Sequence, residues 1–218
     1  MGTRAGLRGL AIRRVDGGQL AAWATDWPDN APPLGRADLL EHHALVEQLH
    51  ADLDACLPVR FPTWFADAAQ LRQRLEEHQA ELGAKLEHVR GRSELSVTIL
   101  EQALDGEARL QAGGSDPSHQ PLPGTRYLLE RQQRQRTVQE LIQQIEATLG
   151  ADLVSAQHAP WPRAGVVLSS ALLVPTQQAG SLAERLKAMG HQGSHPRILL
   201  NGPWPPYSFA GALGVRKE

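Results

Sequence analysis

The chain has 218 residues, 41% hydrophobic and 21% charged, the composition of a soluble protein with one large domain or two small ones. Its 22 basic and 24 acidic side chains leave a net charge of −2, which argues against a general nucleic-acid binder, because that class carries a basic excess. The single cysteine, Cys56, rules out an intramolecular disulfide framework and fits a reducing cytosol; no run of about 18 apolar residues offers a membrane span, and Met1–Gly6 lacks a secretion signal's apolar core, so a cytoplasmic protein is expected.

Leu10–Val15 and Gln19–Thr25 read as a hairpin, with Asp16-Gly17-Gly18 as its turn. The proline-rich stretch after Trp27 breaks regular structure. A helix is predicted from about Ala37 to Leu53, because Leu39, Val46, Leu49 and Leu53 recur near helical spacing. Cys56–Phe61 reads as a short buried strand, with Cys56 a buried thiol acting as a small hydrophobe. One helix is predicted over Asp67–Val89, carrying Leu71, Leu75, Leu82, Leu86 and Val89 on one stripe with His78 in the gap.

Glu94–Leu100 alternates polar and apolar residues, so it predicts a strand with one buried face. Residues 105–124 follow as a long loop rich in glycine, proline and polar residues. Thr125–Leu149 predicts a long helix through Val138, Leu141, Ile142, Ile145 and Leu149. Strands at Asp152–His158 and Gly165–Val174, a helix at Ser181–Met189 and a strand at Arg197–Leu200 complete the pattern. From Glu94 the order is βαββαβ, that of a ferredoxin-like domain. The fold class expected is α+β in two domains: residues 1–92 as an N-terminal α+β unit and 93–218 as the ferredoxin-like domain, ending in a Pro-aromatic strap at 201–210.

That strap, Asn201-Gly202-Pro203-Trp204-Pro205-Pro206-Tyr207-Ser208-Phe209, holds three prolines and three aromatics in nine residues. Proline fixes φ and removes a backbone donor, so a stiff extended segment is expected, excluded from helix and from internal strands. Trp204, Tyr207 and Phe209 would anchor it on the second domain, with exposed edges left for a partner.

Other chemistry is weakly signalled. His43, Glu47 and His50 share a helix face and could ligate zinc, but such triplets arise on ordinary helix surfaces and no fourth ligand is indicated. The run Glu130-Arg131-Gln132-Gln133-Arg134-Gln135-Arg136 reads as a solvated face, too nearly neutral in its surroundings for strong phosphate binding. There is no Walker loop, GxGxxG, GxSxG or CxxC. No cofactor and no catalytic residue is predicted.

Gly202-Pro203-Trp204-Pro205-Pro206-Tyr207-Ser208-Phe209 resembles the C-terminal signature of the gas vesicle GvpF/GvpL family. Three further segments resemble the family in order and spacing. They are Pro58-Val59-Arg60-Phe61 with Thr63 and Phe65, Gly91-Arg92-Ser93-Glu94 before a strand, and Gly124-Thr125-Arg126-Tyr127-Leu128 with Arg131. The resemblance covers roughly residues 7–210; Pro62 stands where the family's first segment has glycine, and its aromatic-rich opening strand is absent. It implies an N-terminal α+β domain followed by a modified ferredoxin-like one. It also implies a minor component or assembly factor of the gas vesicle that contacts the hydrophobic shell protein GvpA and other accessory proteins, without enzymatic activity. A small-molecule or regulatory binding module on a ferredoxin-like scaffold is the competing function, since that scaffold hosts many activities.

Overall fold

The computed structural model describes residues 5–28, 30–101, 123–190 and 197–211. The fold is of mixed helix and sheet, and the chain divides into two compact units. One comprises Met1–Glu94 and Trp204–Glu218, the other Leu95–Pro203. The tail from Trp204 onward therefore belongs with the first unit and not with the second, where the strap was expected to anchor.

In the first unit, strands β1 (Ile12–Gly17) and β2 (Leu20–Thr25) form the antiparallel hairpin, with Ile12 opposite Thr25 and Gly17 opposite Leu20. Gly18 takes the turn at φ +62°, a conformation that side chains disfavour. Helix α2 (Ala68–Glu77) packs across this ribbon, and Val15, Leu71, Leu75 and Leu82 form the small core with Leu20, Ala22, Leu57 and Phe65. The approach is close enough that a Cβ at Gly17 would lie 2.6 Å from that of Leu75.

The single helix expected over Asp67–Val89 is instead two, α2 and α3 (Gln79–Val89). His78 alone leaves helical dihedrals, at φ −106° and ψ 15°, and Gln79 beyond it reaches back to accept from the Gln19 amide at 3.2 Å. The apolar stripe crosses the break intact, so hydrophobic spacing carries no trace of it. Cys56–Phe61, expected as a strand, belongs to no strand. Pro58 is buried there and has no amide to give to a ladder.

Helix α1 (Arg36–Asp52) is fastened at its first turn. Asp38, 4% exposed, accepts from Arg8 Nε at 2.6 Å, from Arg8 Nη2 at 2.8 Å and from the Gly35 amide at 2.7 Å. The same guanidinium donates to the Pro32 and Pro33 carbonyls and lies 4.9 Å from the Trp27 ring centre. One arginine thus satisfies the backbone of a segment that prolines keep out of regular structure.

The second unit is built on a four-stranded sheet in the order β4-β5-β3-β6. Its strands are β3 (Arg92–Leu100), β4 (Ser155–Arg163), β5 (Val166–Pro175) and β6 (Ile198–Trp204). Helix α4 (Pro123–Leu149) lies between β3 and β4 in sequence, and α5 (Ala179–Gly190) between β5 and β6. Leu95, Val97 and Ile99 of β3 and Leu168, Leu172 and Val174 of β5 meet Val138, Leu141, Ile145 and Leu149 of α4 and Leu182 and Leu186 of α5 in one core. The alternation read in β3 and the nearly continuous apolar run of β5 reflect these central positions. Of the loop expected at 105–124, residues 105–122 lie outside the described residues.

The Arg8 contact, with the Gly35 amide second, holds the Asp38 carboxyl at about 2, well below the usual carboxylate range. A depressed folded pKa stabilises the fold above the unfolded value, and that contribution disappears as pH falls through the folded one. Asp38→Asn should therefore lower the melting temperature at pH 7, and the gap to wild type should close between about pH 4 and pH 2. Melting curves of both chains across that window check it; a gap independent of pH would contradict it.

Candidate functional site

The candidate site is assembled where the tail returns to the first unit. β6 runs on through Asn201–Trp204, further than the strand expected at Arg197–Leu200, and Tyr207–Ala210 forms a helical turn. The segment is therefore not extended throughout. Pro203 is tolerated because β6 is the outer strand of its sheet, and Pro206 precedes the turn, where a missing amide costs nothing. Pro205, Pro206 and Phe209 are buried, Trp204 and Tyr207 are half-buried, and Gly202, Pro203 and Ser208 are exposed.

A buried carboxylate holds the tail. Glu94, 6% exposed, accepts from the Ser208 amide on Oε2 and from Ser208 Oγ on Oε1, both at 2.8 Å. Bonds to an ionised acceptor are the strong ones, and a carboxylate withdrawn from water requires them. Phe209 lies beside His88 at 6.3 Å between ring centres. His43 on α1 meets Trp204 at 5.3 Å and Tyr207 at 6.0 Å, and its Nε2 is 3.5 Å from Glu47 Oε1. Burial, with the Cys56 sulfur and Glu47 carboxylate nearby, pushes the Tyr207 hydroxyl up to about 12. Burial likewise pushes the Cys56 thiol up to about 11, so at neutral pH it is an unreactive thiol.

The second motif also meets α1. Pro58 is buried, the Val59 carbonyl accepts from His42 Nε2 at 3.3 Å, and Phe61 lies 5.1 Å from the His42 ring. The Arg60 side chain is exposed, and its carbonyl accepts from Thr63 Oγ1 at 2.5 Å. Burial keeps His42 and His50 below the ordinary histidine pKa. The motif of Gly124, Tyr127 and Arg131 is not part of this site. Gly124 and Tyr127 fall in the first turns of α4, and Arg131 is exposed on the same helix, in the second unit.

The metal reading of His43, Glu47 and His50 does not assemble: His50 is engaged by Ser93 Oγ at 3.1 Å. Among the described residues no three His, Cys, Asp or Glu side chains are grouped to hold a metal ion. Among the described residues, Ser170, His158 and Glu146 make a Ser–His–Glu run, with Ser170 Oγ 2.8 Å from His158 Nδ1 and Glu146 Oε1 3.4 Å from Nε2. Ser170 is 2% exposed, so its hydroxyl cannot meet a substrate. Sequence reasoning gave no sign that His42 and His43 on α1 organise two motifs; adjacent histidines on a helix carry no signal until their partners are located.

The sequence model of the family described as "Gas vesicle synthesis protein GvpL/GvpF" matches residues 2–211. A protein described as gas vesicle protein F from Streptomyces sp. (strain CB03234) is 30% identical over 215 residues, spanning 91% of this chain and 87% of its own length. Two crystal structures of gas vesicle protein GvpF share the fold, each at a TM-score of 0.76 over 96% of this chain and 92% of theirs. The one from Microcystis aeruginosa is 16% identical and the one from Anabaena sp. PCC7120 21%.

Tail variants should act on the stability of the first unit. Phe209→Ala should cost about 3–5 kcal/mol, as for other buried aromatics. Ser208→Ala should cost about 1–3 kcal/mol, since it removes one bond to a charged group. Chemical denaturation monitored by hydrogen exchange resolves which unit loosens first. Loosening confined to Leu95–Pro203 would contradict the assignment of the tail.

Proposed function

The chain belongs to the GvpL/GvpF family of gas vesicle synthesis proteins, and on that premise we propose that it is a non-enzymatic assembly factor or minor structural component of the gas vesicle. It works at the vesicle in the cytoplasm, where it binds the hydrophobic shell protein GvpA and other accessory proteins. The observation that carries this reading is the latched tail. Glu94 fixes Ser208, and Trp204 and Tyr207 are thereby held against His43 with part of each ring open to solvent. Rigid, half-exposed aromatics lose little entropy on binding, which suits them to anchor a protein interface.

The strand order β4-β5-β3-β6, with helices after the first and third strands in sequence, supports reading the second unit as ferredoxin-like and the chain as two domains. The test is replacement in a gas-vesicle-forming host. Removing the gene should abolish flotation, and the wild-type chain should restore it. Trp204→Ala/Tyr207→Ala should fail to restore it and should lose capture of purified GvpA at a temperature where the chain is still folded. Restoration and capture equal to wild type would overturn the reading.

A further inference from the structure

The second unit carries an aromatic group that the latched tail does not use. Trp161 stands at the far end of the β4–β5 hairpin, where the register breaks between Pro160 and Arg163. Its backbone is left-handed, at φ +49°, and its side chain is 37% exposed. A bulky residue in this region is strained, and strain of this kind marks places where function sets the conformation. Glycine would take the same dihedral without cost, so the backbone conformation gives no reason for an indole here.

The neighbours fit it for recognition through its side chain. Pro160 and Pro162 remove the amides on either side, so the tip cannot extend a partner's sheet by main-chain pairing. The Arg134 guanidinium of α4 lies over the ring, 5.4 Å from its centre. Arg131 stands one turn earlier on the same helix and Arg163 two residues along the hairpin; all three arginines are exposed.

We propose that Trp161 and the arginines Arg131, Arg134 and Arg163 form a second docking site, whose partner is an acidic protein surface with an apolar slot for the indole. Charge complementarity sets the partner's sign, and the ring supplies the central anchor within a polar rim. A nucleic acid fits less well: Arg134 already covers one face of the ring, and three cations supply few phosphate contacts. The site lies within the second unit, whereas the tail belongs to the first. It rests on the gas vesicle reading for the choice of candidate partners.

Full-length wild type, Trp161→Gly and the triple variant Arg131→Gln/Arg134→Gln/Arg163→Gln are immobilised in the presence of nuclease. Each purified acidic protein of a gas vesicle gene set is then offered in turn, and the melting temperature of every variant is measured. The wild type should retain one of these proteins, with affinity falling as salt rises. Trp161→Gly should weaken that retention roughly tenfold or more while its melting temperature holds or rises, and the triple variant should weaken it and flatten the salt dependence. The proposal is overturned if the wild type retains none of them, if Trp161→Gly retains as well as wild type, or if Trp161→Gly melts lower, which would make the ring a structural element. A wild-type chain that restores flotation yet retains no acidic protein sinks this proposal alone. Failure to restore flotation sinks the gas vesicle reading instead.

Discussion

A carboxylate taken out of water must find hydrogen-bond donors, and the organisation of this chain follows from where Glu94 finds them. Its two acceptor oxygens are met by the amide and hydroxyl of Ser208, 114 residues further along. Glu94 is the residue at which the chain leaves the first unit, and the tail that rejoins it starts at Trp204. The bond therefore does more than hold a tail in place. It makes the first unit discontinuous, with Leu95–Pro203 inserted between its two pieces.

Helix α1 gives this closure its surface. His42 faces Val59 and Phe61, His43 faces Trp204 and Tyr207, and His50 faces Ser93. Three imidazoles on one helix thus meet three separate stretches of chain. The helix has its own fixed start, because Arg8 binds Asp38 in its first turn and the proline carbonyls that precede it. Few of these contacts are apolar. The core of the first unit is small, centred on Val15, Leu71, Leu75 and Leu82, so polar and aromatic contacts set the position of α1 where a larger domain would rely on volume.

Features with a local physical cause were legible in the sequence. The hairpin was announced by its glycine turn, α4 by a stripe of Val138, Leu141, Ile145 and Leu149, and β5 by an unbroken apolar run. What escaped reading was decided by partners distant in the chain. The break at His78 leaves the apolar spacing untouched, and Cys56–Phe61 has the composition of a strand but belongs to none among the described residues. The tail motif reads as a stiff extended strap on the second domain; Pro205, Pro206 and Phe209 are buried, but the segment ends in a helical turn and belongs with the first unit. Its placement depended on one glutamate, and no local rule of composition connects Glu94 to Ser208. Trp161 was likewise invisible, because a left-handed backbone at a tryptophan is a property of the folded bulge and not of the residue.

The discontinuity of the first unit also sets a clock. A ribosome makes a chain in order, at about 5–20 residues per second, so roughly 6–23 s separate the appearance of Glu94 from that of Ser208. Throughout that interval the chain already contains the sequence of the hairpin and of α1, α2 and α3, and a carboxylate whose donors do not yet exist. The last strand of the second sheet ends at Trp204, four residues before Ser208, so that sheet precedes the latch in synthesis. Completion of the older half thus reports that the younger half has been translated to its end, and a chain stalled anywhere between the two carries an open seam that marks it as unfinished.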